Sequence, residues 1–172
     1  HVSSRRQRQM CIRDRSGTPT LSVESHYDAE KKEYTLTTRQ VTAPTHDQTE
    51  KQALHIPLDI ELYTASGEVI ELQCNGQPIH NVLDVKEAEQ TFVFENVNEQ
   101  PVPSLLREFS APVKLEYNYS DEELIFLMVN ARNEFSRWDA GQMLLAKYIR
   151  SNVDNVQQGQ KFALSSEVVD AF

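Results

Sequence analysis

The sequence predicts a mainly β protein: an immunoglobulin-like β-sandwich followed by the first helices of an α-helical domain. Three observations carry that prediction. Apolar residues recur with period two between Leu21 and Tyr119. Turn-forming clusters separate these runs at intervals of about ten residues. From Ser120 onward the apolar period becomes that of a helix.

The chain has 172 residues, the length of one ordinary domain or of a small domain with part of another. With 39% hydrophobic residues it can bury a core, which argues against a wholly disordered chain. No run of about 18 apolar residues occurs, so no transmembrane helix is expected. Two cysteines cannot build a disulfide scaffold, and 17 Lys+Arg under a net charge of −9 argue against nucleic-acid binding by the whole chain.

The average charge hides a break. Residues 1–15, HVSSRRQRQMCIRDR, hold five Arg and one Asp, leaving 12 basic and 25 acidic side chains in 16–172. The arginines are not followed by the apolar stretch of a signal peptide. One reading is a basic arm for RNA or anionic lipid. The favoured one is that RRQRQMCIRDR resembles a translated sequencing-adapter peptide, of the kind that recurs at the ends of gene predictions from environmental reads. On either reading 1–16 is set apart from the fold as a non-native or disordered tail. That leaves 17–119 for the sandwich and 120–172 for the helical part.

The strands follow from alternation. Leu21 and Val23 alternate with Ser22 and Glu24, and Tyr34, Leu36 and Thr38 with Thr35 and Thr37. Ile56, Leu58, Ile60 and Leu62 form the cleanest half-buried strand. Ser66-Gly67 is expected to fold Ile70 and Leu72 back on it as a hairpin. Phe92 with Phe94, and Val113 with Leu115 and Tyr117, complete the set. Pro57 lacks a donor, so its strand needs an edge or a bulge there. Turns are expected at 27–32, 43–51, 74–78 and 96–104.

Ser120 with Glu123 spells a capping box, and the acids of Asp121-Glu122-Glu123 suit a helix N-terminus. Leu124, Ile125, Leu127, Met128 and Ala131 then share one helical face. A second helix is expected from about Phe135 to about Val156, with Trp138, Leu145, Tyr148, Ile149 and Asn152 on one side and Gly159 beyond its end. Gly141 inside that helix implies close packing. Ser165-Ser166-Glu167 should open a third helix that is cut at Phe172, so the sequence reads as a piece of something longer.

Sites of chemistry are sparse. His26, His46, His55 and His80 are scattered, with no pair at helical ligand spacing, and no metal, phosphate or nucleophile motif occurs. Cys74, beside Asn75-Gly76, reads as a small residue at a turn rather than a nucleophile. Asp121, Glu122 and Glu123 read as capping rather than catalysis, Arg132, Arg137 and Lys147 as a solvated charged face, and Trp138 as core rather than a ligand platform.

Four blocks carry a family resemblance: KQALHIPLDIELYTASGEVIEL (51–72), AEQTFVFENV (88–97), PVPSLLREFSAPVKLEYNYSDEELIFLM (101–128) and ARNEFSRWDAGQMLLAKYI (131–149). They resemble the bacterial aminopeptidase N family of gluzincin zinc peptidases, and the likeness spans about Gly17 to Phe172. It implies the third, immunoglobulin-like domain of a four-domain enzyme, joined near Ser120 to the opening helices of the fourth. The zinc ligands and general base of that family stand in a His-Glu-x-x-His segment and a downstream Glu, and the substrate amine is held by Gly-Ala-Met-Glu-Asn. None of these motifs occurs in this chain, so no catalytic, cofactor-binding or metal residue carries over to any position here.

The resemblance implies a parent hydrolase, a cytoplasmic zinc metalloprotease that removes N-terminal residues from peptides by polarising the carbonyl and activating water. This piece alone would be inactive and would hold no zinc. Its expected role is a rigid spacer that positions the helical cap, with the parent's catalytic and helical domains as partners and neither nucleic acid nor membrane bound. Pro101-Val102-Pro103 and the Glu116–Ser120 junction are the expected contacts. The alternative is a stand-alone immunoglobulin-like binding module without enzymatic activity.

Overall fold

The computed structural model describes residues 17–46, 49–159 and 161. The expectations for the 1–16 tail, for Cys11 and for a third helix after Ser165 lie outside the described residues.

Strands β1 (Pro19–Asp28) and β2 (Glu33–Thr42) pair antiparallel along their whole length, from Pro19 opposite Thr42 to Asp28 opposite Glu33. Asp28 Oδ1 makes the turn between them by accepting the Glu30 and Lys31 amides at 3.0 and 3.1 Å. Eight-residue β3 (Ile56–Tyr63) is the hub of a second sheet. The short strands β4 (Val69–Ile70), β5 (Gln73–Cys74), β6 (Gln77–Pro78) and β7 (Val82–Val85) follow, and then β8 (Glu89–Phe94), β9 (Val102–Leu105) and β10 (Lys114–Glu116). The first sheet runs β10-β1-β2-β8, with β10 parallel to β1. In the second, β3 pairs β7 through Ile56–Asp59, β9 through Ile60–Tyr63, and β4 at Leu62 and Tyr63. The predicted hairpin after Ser66-Gly67 is the β3–β4 pair, which takes in Ile70 but ends before Leu72. A separate hairpin joins β5 to β6 across Asn75 and Gly76, with φ +52° and +71°, the left-handed pair that a two-residue Asn-Gly turn supplies.

The alternating residues meet between the sheets. Leu21, Val23, Tyr34, Leu36 and Phe94 face Ile56, Leu58, Ile60, Leu62, Leu83, Val85 and Leu105 in one cluster. A fully buried Leu in such a cluster contributes about 2 kcal/mol. Pro57 stands where the strand has an open side. The Ile60 amide points to Asn81 O on the β7 side, whereas the Asp59 amide points away to Ser110 Oγ at 3.0 Å. Pro57 shares the Asp59 side by alternation, and β9 pairing begins at Ile60. The missing donor therefore costs no ladder bond, as expected of an edge.

One expectation is corrected. Residues 96–104 were expected to be a turn, yet Val102–Leu105 is β9, with Pro103 opposite Leu62. Among the described residues it pairs with β3 alone, the edge setting in which a strand tolerates proline.

Two helices close the described chain: α1 (Asp121–Asn130) and α2 (Glu134–Gln157). Ser120 Oγ accepts the Glu123 amide at 3.1 Å while Glu123 Oε2 accepts the Ser120 amide at 2.8 Å, the capping box read from sequence. Gly159, at φ +77°, lies just past α2. The helices seat on the outer face of the second sheet. The β3 pleat puts Leu62 into the sandwich and turns its neighbour Tyr63 outward, where it packs with Tyr119, Leu124, Leu127, Ala131, Ala140 and Leu144. Among the described residues, no helix is long and apolar enough to cross a membrane.

Candidate functional site: the junction of sandwich and helices

Charged and polar groups converge where β3, the 106–110 turn and the α1–α2 link meet. Asp59 and Glu61 lie two apart on β3 and so share its outer face. Arg107 Nη1 reaches both carboxylates at 3.2 Å, and the Glu61 and Arg107 side chains are largely buried. The Tyr63 hydroxyl donates to Glu61 Oε2 at 2.5 Å and accepts the backbone amide of Arg132 at 2.9 Å. One buried carboxylate is thereby connected to the 106–110 turn through Arg107 and to the helix link through Tyr63.

Burial opposes the charges of this cluster. Burial raises the Asp59 carboxyl above its ordinary value and outweighs the opposing pull of Arg107. Burial, together with the bond to Glu61, pushes the Tyr63 phenol up to about 12. Desolvation offsets the Coulomb gain in such pairs, while breaking one side strands a buried charge.

The turn itself is unusual. Leu106, Glu108 and Phe109 have φ of +55°, +52° and +53°, and none is glycine. Phe109 stands exposed with its ring 4.1 Å from that of Phe135, and Phe135 contacts Trp138 at 5.7 Å. Glu108 Oε1 accepts Asn133 Nδ2 at 2.9 Å, and Asn133 Oδ1 accepts the Ser136 amide at 3.0 Å as the cap of α2.

A second set of contacts ties the sandwich edge to the helices. Tyr117 hydrogen-bonds Ser25 at 2.7 Å and packs edge-on against Tyr119, with ring centroids 4.4 Å apart. Tyr119 is buried, which holds its phenol far above the usual range. Lys147 pairs with Asp121 and donates to Tyr119 O at 3.3 Å, so α2 is bound to the start of α1.

The residues singled out by sequence fall as follows. His26, His46, His55 and His80 are all exposed and do not converge. His55 Nε2 meets Asp84 Oδ1 at 2.6 Å, and with Lys86 it holds Asp84 below the ordinary carboxylate range. Among the described residues no three His, Cys, Asp or Glu side chains are grouped to hold a metal ion. The described side chains do not fit a zinc site. Cys74 sits at the β5–β6 hairpin, 3.6 Å from Asn75 Nδ2. Arg137 is not simply solvated, since its Nη1 donates to Ala131 O at 3.0 Å just past the end of α1. Lys147, in the ion pair above, is likewise a connector.

Trp138 is corrected outright. It is 58% exposed, and Leu145, Ile149, Val153 and Val156 continue the same exposed apolar stripe. The α2 helix carries apolar residues on two sides; its buried residues are Ala140, Gly141, Leu144 and Asn152, of which Ala140 and Leu144 pack with Tyr63 and α1. Pro101 and Pro103 are buried residues in and beside β9, and Val102 packs on the helical cluster. Tyr117 and Tyr119 of the Glu116–Ser120 junction pack on the same cluster, while Glu116 is exposed and pairs with Lys114. Sequence reading missed Glu61, Tyr63 and Arg107. The one available signal was the acidic residues Asp59 and Glu61 on alternate positions of an otherwise apolar strand.

The family described as "Domain of unknown function (DUF3458) Ig-like fold" matches residues 17–118. The chain belongs to this family. Its companion, "Domain of unknown function (DUF3458_C) ARM repeats", matches residues 121–172, so the two DUF3458 modules meet at the capping-box serine. The DUF3458 chain is 60% identical over 157 residues to aminopeptidase N of Escherichia coli K12 and 47% identical over 156 residues to that of Haemophilus influenzae. Each match covers 91% of this chain and 18% of the relative's length. Legionella pneumophila aminopeptidase A, solved with aspartic acid, superposes with a TM-score of 0.71 at 31% identity, over 91% of this chain and 16% of that one. The chain therefore spans about a fifth of the length of the curated relatives it matches.

Proposed function

We propose that the chain is the non-catalytic spacer of a larger zinc aminopeptidase, holding a helical cap at a fixed position over a catalytic domain elsewhere in the protein. The observation that carries this reading is the 60% identity to aminopeptidase N along 91% of the chain, sandwich and helices alike. It is supported by the junction, where buried hydrogen bonds and packed tyrosines leave little freedom between the two modules. A sandwich resists bending, so a cap mounted on its outer face moves with it. The parent would cleave N-terminal residues from peptides in the cytoplasm, with its zinc and substrate-amine ligands supplied by segments other than this one.

The test is kinetic. In Escherichia coli aminopeptidase N, residues equivalent to Tyr117 and Tyr119 are changed to Ala and peptide hydrolysis is measured. The reading expects KM to rise several-fold while bound zinc is unchanged, because the cap closes less well. Unchanged KM and kcat in a folded variant would overturn it.

A further inference from the structure

The 106–110 turn stores strain in a place that touches both modules. Left-handed φ in a residue other than glycine costs of the order of 1 kcal/mol, and three such residues occur here within four positions. A conformation of that kind persists when its surroundings over-determine it. Arg107 supplies the constraint. Its guanidinium is inserted between Asp59 and Glu61 on β3, and it lies between the strained residues Leu106 and Glu108.

What the strain secures is seen on the far side of the turn. Glu108 holds Asn133 and Phe109 packs at a tilt against Phe135, so the turn grips the first residues of α2. Glu61 grips the same link from below through Tyr63 and the Arg132 amide. The other contacts between helices and sandwich are Lys147, which meets Asp121 and Tyr119 O far from this turn, and the apolar cluster around Leu124, Leu127 and Leu144. Apolar burial is non-directional as a driving force, so it holds the helices on the sheet while constraining their angle less sharply than hydrogen bonds do. Hydrogen bonds and the ion pairs of Arg107 Nη1 are directional and do constrain an angle.

We propose that Arg107 is a positioning residue, the pin of a strained latch that sets the angle of the α1–α2 hairpin on the sandwich. This deepens the spacer reading and rests on it. With the pin seated, the 106–110 turn is forced into its left-handed conformation, and Glu108 and Phe109 clamp the helix link. With the pin withdrawn, the turn relaxes to ordinary φ values, both clamps open, and the hairpin swings while still covered by its apolar cluster.

The test uses the whole 172-residue chain with Cys11→Ser and Cys74→Ser, and spin labels at Val41→Cys on β2 and Val153→Cys on α2, both exposed positions. The distance distribution between the labels is measured by pulsed electron resonance, and exchange of the Arg132 amide by NMR. Arg107→Gln is expected to broaden the distribution at least twofold and to speed Arg132 exchange at least tenfold, with far-UV circular dichroism unchanged. A distribution as narrow as in the parent, with Arg132 exchange unchanged, would overturn the proposal. Should Arg107→Gln fail to fold, the pair Tyr63→Phe and Glu108→Ala leaves Arg107 on its carboxylates and cuts the hydrogen bonds that hold Arg132 and Asn133. The same broadening is expected, and its absence is equally fatal. These readouts need no peptidase activity. A broadened distribution beside unchanged kinetics in the full enzyme would remove the spacer reading and leave the latch standing.

Discussion

Leu144 and Leu145 are adjacent on α2 and chemically identical, yet one is 0% and the other 42% exposed. Truncating each to Ala separates the helix face that this chain buries from the one it leaves open. At Leu144 three carbons leave a closed cluster with Tyr63, Leu124 and Leu127. Transfer at about 0.8 kcal/mol per carbon gives roughly 2.4 kcal/mol, and an incompletely collapsed cavity brings the total to about 3 kcal/mol. At Leu145 the same carbons already meet water, so the loss is expected to stay within about 0.5 kcal/mol. The assay is urea unfolding followed by far-UV circular dichroism, with the midpoint shift converted through an unchanged m-value. Equal losses at the two positions would refute the assignment of α2's buried face. A large loss at Leu145 alone would show that the stripe from Trp138 to Val156 is covered in solution.

Three further outcomes follow from the same structure. Ser120→Ala removes the cap of α1 and should cost about 1 kcal/mol, read by thermal melting, with the sandwich strands unaffected. Gly67→Ala should cost at least about 1 kcal/mol, because φ is +88° and the new Cβ would stand 3.0 Å from Asn130 Oδ1 on α1; Asn130→Ala in the same chain should relieve the steric part but not the backbone part. The third outcome concerns alkali. Tyr63 is raised from 10.0 to about 12, and burial holds Tyr34 and Tyr119 higher still. A folded-state pKa above the unfolded one contributes stability that is whole below about pH 10 and is lost as pH rises through the folded value. Phenolate absorbance from these tyrosines should therefore appear together with loss of circular dichroism above about pH 10, and phenolate formation ahead of unfolding would contradict their burial.

The fold was legible where one face of an element is wet and the other dry. Alternation along Leu21–Val23, Tyr34–Thr38 and Ile56–Leu62 located the core of the sandwich, and the capping box located the start of α1 to the residue. β9 was not legible, because Pro101 and Pro103 signal a turn locally and the tertiary pairing with β3 overrides that signal. Trp138, Leu145 and Ile149 were misplaced for a related reason. A helix with two apolar sides gives one periodicity, and nothing in a linear pattern says which side meets the sheet. The junction was least legible of all. Glu61 and Tyr63 are close on β3, but Arg107 and Arg132 come from the strained turn and the helix link, and contacts of such sequence separation leave no local spacing to read.

The spacer account is tested most directly by exchange. Residues 17–172 of this chain replace the matching 18% of Escherichia coli aminopeptidase N, and hydrolysis of an aminoacyl substrate is compared with that of the unaltered enzyme. If the segment acts by holding a cap at the right place, the chimera should keep kcat/KM within a few-fold, and adding Arg107→Gln should raise KM more than it lowers kcat. A chimera that folds, binds zinc and has lost hydrolysis, or one indifferent to Arg107, would contradict the account.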